Sequence, residues 1–188
     1  MFPWLRVIRV GLGIIAQPRV DLLATTRVRR RVWPNDLDFN VHVNAGRYLT
    51  LADIGHINWF ARTGVLGVAR QQKASPVVGD AIAKFRRDLK VFQSFEIRTR
   101  LIGWDRKYGF FENRFVRNGR VIGMVAIRGV FKGPGDPVDL LVLLAGPAHS
   151  APSPELPEWA NRFYQSGELL SALLREEECS QGLRGPKE

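Results

Sequence analysis

The chain has 188 residues, 45% hydrophobic and 24% charged, with a net charge of +10. That length and balance fit one globular domain with extensions and a real core. The single cysteine, Cys179, excludes an internal disulfide framework and a cysteine-based zinc site, and it suits a reducing compartment.

A basic surplus of this size attracts nucleic acid, anionic lipid or phosphorylated ligands. Zinc-finger spacing, a ribonucleoprotein aromatic signature and a lysine-rich arm are all missing, so nucleic acid is not an expected partner. No stretch offers ~20 uninterrupted apolar residues, so no membrane span is expected. The first 20 residues do contain an amphipathic pattern: Trp4, Leu5, Ile8, Leu12 and Ile15 share one helical face, with Arg6 and Arg9 beside it. Such a helix either packs on the domain or lies in a lipid interface, making peripheral membrane contact through the N-terminus the rival reading.

Residues 27–34, RVRRRVWP, alternate loosely and stop at a proline, as a strand ending in a turn does. DLDFNVHVN, residues 36–44, then crowds two carboxylates, two amides and a histidine into nine positions. Asn44 stands where a helix N-cap belongs. In the segment that follows, Tyr48, Leu51, Ala52, Ile54, Ile57 and Phe60 cover most of a helical circumference, which predicts a helix buried nearly all round and stopped at Gly64.

From residue 77 the pattern becomes that of strands: 77–92, 94–107, 108–120 and 121–133 are β-branched and aromatic runs separated by turn chemistry such as Asn118-Gly119. Phe95, Ile97, Thr99 and Leu101 alternate with Glu96, Arg98, Arg100 and Ile102, giving one inward face and one mostly charged face. A Pro/Gly-rich connection after Gly133 leads to a short apolar run, and a helix is expected over about residues 157–177. The expected organisation is an N-terminal extension (1–20), a domain (21–135) and a C-terminal extension (136–188). The order of one strand, one long buried helix and several antiparallel strands predicts an α+β fold, a sheet wrapped around one central helix.

The run DLDFNVHVNAGRYL resembles the signature of hotdog-fold thioesterases, D-x-D-x-x-x-H-V-N-N-x-x-Y-L, which precedes the central helix of that fold. The likeness continues through RYLTLADIGHINWFARTGVLG and KFRRDLKVFQSFEIRTRLIGWD, and departs from the pattern at Ala45, where the family often has a second Asn. The resemblance implies an acyl-CoA thioesterase that needs no metal or organic cofactor, built as a two-fold dimer or a tetramer. It implies that the second aspartate of the pair, Asp38, is the catalytic acid. The D-x-N-x-H spacing, similar to a run in plant acyl-carrier-protein thioesterases, implies that Asn40 orients substrate and His42 assists as base. Another branch of the fold takes its acid from the helix, which makes Asp53 the reserve candidate.

The chemistry asks for the same groups. Thioester hydrolysis needs an activated water or a nucleophile, plus donors for the oxyanion. Asp38 supplies the first, and the helix start at Asn44, Ala45, Gly46 and Arg47 offers unpaired N–H groups for the second. Tyr48 and the arginines of the 84–90 segment, Arg86 and Arg87 above all, are candidate substrate contacts, the arginines suiting the phosphates of coenzyme A.

Each residue also has a plainer reading. Asp36 and Asp38 form Asx-turns, Asn44 is only a cap, Tyr48 only core, and Asp53 with His56, three residues apart, a buried pair fixing the helix. A non-catalytic acyl or lipid binder on the same fold is the alternative function.

Overall fold

A computed structural model of the chain describes residues 18–134, 137–145 and 152–181. The amphipathic pattern of residues 4–15 lies outside the described residues. The elements are β1 (Thr26–Arg31), a short 3-10 turn (Pro34–Asp36), α1 (Ala45–Thr63), α2 (Val65–Gln71), β2 (Ser75–Phe85), β3 (Ser94–Trp104), β4 (Gly109–Arg117), β5 (Arg120–Lys132), α3 (Leu140–Leu144) and α4 (Glu158–Ser180). The chain divides into two compact units after Pro154, and α4 belongs to the second.

The five strands form one antiparallel sheet in the order β1-β3-β4-β5-β2. Its inner face follows from alternation. Phe95, Ile97, Thr99 and Leu101 of β3 are all buried, as are Phe111, Asn113 and Phe115 of β4 and Val125 and Ile127 of β5. The outer face is charged, and there Glu112, 2% exposed, is held between Arg100 and Arg114. The sheet curls around α1. From Leu51 to Thr63 that helix has no exposed position, as its all-round apolar pattern requires. This is the hotdog architecture that the resemblance implied.

Two features fix α1 in place. Gly64 ends it at φ 85°, a left-handed conformation that favours glycine, and starts α2. Gly55 lies so close to the sheet that an added Cβ would collide with Thr99 Oγ1, with Ile97 Cγ2 3.1 Å and Asn113 Oδ1 3.2 Å away. Residues of the first half of α1 pack with Val32, Val43, Leu89, Phe95 and Phe115, whereas Trp59 and Phe60 pack with Phe111, Phe131 and Leu143 at the other end.

One expected strand is shorter than its sequence pattern. The apolar residues of 77–92 read as a single run, yet β2 stops at Phe85 because the N–H groups of Arg86 and Arg87 both donate to Ile122 O and break the ladder. Residues 86–93 then form a loop, and Leu89 from that loop is buried in the core. No helix of the described residues is long and apolar enough to cross a membrane.

Candidate active site

The DLDFNVHVN segment folds into a tight turn braced on both sides. Val41 N–H donates to Asp38 O, Asp38 N–H donates to His42 O, and Leu37 bridges Val43. His42 in turn bridges Lys90, and Val43 N–H donates to Leu89 O, so loop 86–93 lies directly against the motif. Val41 closes the turn at φ 60°. A β-branched residue there carries strain of about 1–3 kcal/mol, and such strain persists only where the surroundings over-determine it.

The candidate residues separate into those that shape the turn and those that face open space. Asp36 is 2% exposed; its Oδ1 accepts from Arg47 Nη2 at 2.9 Å and Nε at 3.2 Å, and its Oδ2 accepts from Trp33 N–H. The guanidinium of Arg47 is thereby committed to the loop. Asn44 caps α1, its side chain accepting from Gly46 N–H at 2.9 Å, and Arg47 N–H donates to Asn44 O. The amides of Gly46 and Arg47 are therefore spent locally. Ala45 N–H has no hydrogen-bond partner among the described residues. Asn40 donates its N–H to Asp38 Oδ1, an Asx-turn, and is exposed at the turn tip.

Asp38, His42, Ala45, Tyr48, Arg86 and Arg87 line one cleft of 340 Å³, together with Val43, Phe85, Asp88 and Leu89. Asp38 Oδ1 lies 3.4 Å from His42 Nδ1. The Asp38 side chain is 21% exposed and borders the same cleft as Ala45 at the helix tip. Tyr48 packs edge-on against Phe115, centroids 4.8 Å apart, and against Phe85 at 5.0 Å. Burial first, and the nearby Asp88 carboxylate second, push its hydroxyl up to about 12, so it is a neutral donor at physiological pH.

Asp53 faces elsewhere. It lies at a second cavity of 360 Å³ bordered by His56, Ile57, Phe60, Val77, Val78, Phe111 and Phe131 among others. α1 contributes to both cavities, Ala45 and Tyr48 to the first and Asp53, His56, Ile57 and Phe60 to the second. Burial raises the Asp53 carboxyl above its ordinary value. His56 is pushed down to about 4 by burial, so it is neutral at pH 7 and its 3.9 Å approach to Asp53 is not an ion pair. Asn113 fixes its tautomer. Thr99 Oγ1 donates to Asn113 Oδ1, and Asn113 Nδ2 reaches both Val125 O at 3.2 Å and His56 Nε2 at 2.9 Å. With Nε2 accepting, the ring proton sits on Nδ1, toward Asp53.

Sequence reasoning did not single out Asp88, Phe85 or Asn113. The first two stand in what reads as a continuous strand. Asn113 carried a signal: it is the polar residue at an inward position between Phe111 and Phe115.

A turn rich in acid and amide, set at the buried start of the one helix a sheet encloses, defines the hotdog class of thioesterase-like proteins. The family model described as the thioesterase-like superfamily matches residues 32–145, and the chain belongs to that superfamily. Protein THEM6 of Danio rerio is 34% identical over 175 residues, covering 90% of this chain and 86% of that protein. Among solved structures, YbaW, a probable thioesterase from Escherichia coli, superposes with a TM-score of 0.58 at 19% identity, over 63% of this chain and 92% of that one. The gentisyl-coenzyme A thioesterase BH1999 superposes with a TM-score of 0.55 at 20% identity, over 60% and 95%. At these identities the two structures speak for the fold alone.

Proposed function

We propose that the protein hydrolyses the thioester of an acyl-CoA or an acyl carrier protein, with Asp38 as the catalytic carboxylate. The observation that carries the reading is the meeting of Asp38, His42 and Ala45 N–H in a single cleft walled by Tyr48, Arg86 and Arg87. Asp38 takes a proton from water as the oxygen attacks the thioester carbonyl. The carbonyl oxygen becomes an oxyanion beside Ala45 N–H at the positive end of α1. The C–S bond then breaks, and a proton passes to the departing thiolate through Asp38 or His42. Asn40 and Asn44 hold the turn that presents these groups. The apolar cavity farther along α1 receives the acyl chain.

The same proposal includes a homodimer. β2 is an edge strand of 11 residues, exposed along its length, with Val77, Val78, Ile82 and Phe85 uncovered. An unpaired, apolar edge of that length asks for a second strand. A cytoplasmic location also belongs to it, supported by the single thiol, Cys179, which is exposed on α4.

The experiment is a panel of acyl-CoAs with a thiol reagent. Asp38→Asn lowers kcat/KM by about 10²–10⁴-fold, the contribution of a general base, with unchanged thermal melting. Asp53→Asn, at the second cavity, retains turnover. Full activity in Asp38→Asn together with loss in Asp53→Asn transfers the catalytic role to the helix acid. Acyl-CoA binding without turnover by the wild-type protein leaves a non-catalytic acyl binder.

A further inference from the structure

α4 carries an uncovered apolar stripe, in the C-terminal part of the chain beyond the residues 32–145 that the superfamily shares. Leu169, Leu170, Leu173 and Leu174 are 73%, 54%, 50% and 49% exposed. Their spacing, i, i+1, i+4 and i+5, puts all four on one side of the helix. Ser166 and Glu177 continue that side by one turn at either end. Contiguous exposed leucines of this kind mark a surface that another surface covers.

The charge and the order of its residues decide what covers it. α4 holds five glutamates and two arginines in a chain that is basic as a whole. An anionic lipid surface asks for Lys and Arg around such a stripe, so this helix is a poor match for it. The run Leu169-Leu170-Ser171-Ala172-Leu173-Leu174 reads the same way in both directions: two leucines, two small residues, two leucines. A two-fold interface between identical chains needs that property, because each residue and its contact exchange places across the axis.

With the axis between Ser171 and Ala172, an antiparallel pair of α4 helices sets Leu170 beside the partner's Leu173. It sets Ser166 beside the partner's Glu177, where the hydroxyl donates to the carboxylate. The acidic run Glu176–Glu178 comes level with the partner's Gln165, Ser166 and Gly167, which carry no charge. Arg162 lies on the same flank of the helix as Glu176, and the partner's Glu176 falls about 7.5 Å from it along the axis, within an arginine's reach. Arg162 is bonded to Glu158 of its own helix, and both are well exposed, so the guanidinium is free to be shared. A parallel pair would set the two acidic runs side by side.

We propose that α4 is a self-association element: two copies of the chain pair through their leucine stripes, antiparallel, about a two-fold axis at Ser171 and Ala172. This contact is separate from the β2 edge, and it does not depend on the thioesterase reading. Four leucines a side, over two turns of helix, fall short of the ~800 Å² per partner of a standard interface. The association is therefore weak, and it forms as protein concentration rises.

The test is sedimentation equilibrium of the full-length protein carrying Ile82→Lys, which takes the β2 contact out of the readout. This protein is monomeric when dilute and dimerises with a Kd on the order of 10–100 µM. Adding Leu170→Gln and Leu173→Gln weakens that step by about 100-fold or more, because four leucines leave each pair. Both positions are exposed and Gln is a good helix former, so helical content and the melting curve stay unchanged. The wild type shows the same leucine-dependent step, added to its β2 dimer. Disulfide trapping in a Cys179→Ser background, free of the chain's one native thiol, reads the register. Ser166→Cys mixed with Glu177→Cys gives a cross-linked pair. Ser166→Cys alone gives none, its two thiols standing about 16 Å apart along the axis. A protein that stays monomeric to millimolar concentration, or a step that the leucine variant leaves unchanged, overturns the proposal. Cross-linking of Ser166→Cys alone overturns it too, since that belongs to a parallel pair. Flotation with phosphatidylcholine vesicles, lost in the leucine variant and without self-association, overturns it in favour of a lipid surface.

Discussion

Acid should destabilise this protein through His56, and the size of the effect follows from where the ring sits. In the unfolded chain the imidazole gains its proton as pH falls below 6.5; folded, burial among Asn113, Phe60 and Phe111 delays protonation to about 4. Between those values the unfolded state holds a proton that the folded state refuses. Stability is therefore full above pH 6.5 and is lost as pH falls toward 4. A separation of about 2.5 pH units corresponds to about 3 kcal/mol, a large part of a typical domain's stability. Asp53 works in the opposite sense at the acid end, because its raised carboxyl gives the folded state the extra proton there. The comparison must therefore be made against His56→Gln, which keeps an acceptor for Asn113 and removes the titration. Urea midpoints measured from pH 7.5 to 4.5 decline in the wild type and decline less in the variant. Parallel curves refute the assignment of a neutral, buried His56.

Gly55→Ala puts a methyl against Thr99 Oγ1 and costs about 1–3 kcal/mol by overpacking, read as a lower urea midpoint; an unchanged midpoint would mean that α1 stands off from the sheet. Ile82→Lys, on the exposed edge strand, turns a sedimenting dimer into a monomer while leaving the melting of the monomer unit nearly unchanged. A wild type that sediments as a folded, active monomer defeats the dimer proposal outright.

The sequence announced some of this more clearly than the rest. The central helix was legible because an apolar circumference has one physical meaning, and Gly64 marked its end. The faces of β3 were legible from alternation. The end of β2 was not, because Leu89 and Phe92 are as apolar as strand residues, and only their hydrogen bonds tell loop from ladder. The crowding in residues 36–44 pointed to the site, but it did not say which groups are spent on the turn itself. That depended on contacts across the chain: Arg47 reaching back to Asp36, and loop 86–93 closing on His42. The pairing of His56 with Asn113 spans 57 positions and requires the register of the sheet.

The pairing of β1 has a bearing on synthesis. Its partner is β3, with Thr26 opposite Thr99 and Arg31 opposite Ser94. On a ribosome adding about 5–20 residues per second, the opening strand waits roughly 4 to 15 seconds before its neighbour exists. A bare β-segment is sticky during such a delay, and positive charge is a common guard against mispairing. The four arginines of Thr26–Arg31 supply that guard while the nascent strand waits for its partner.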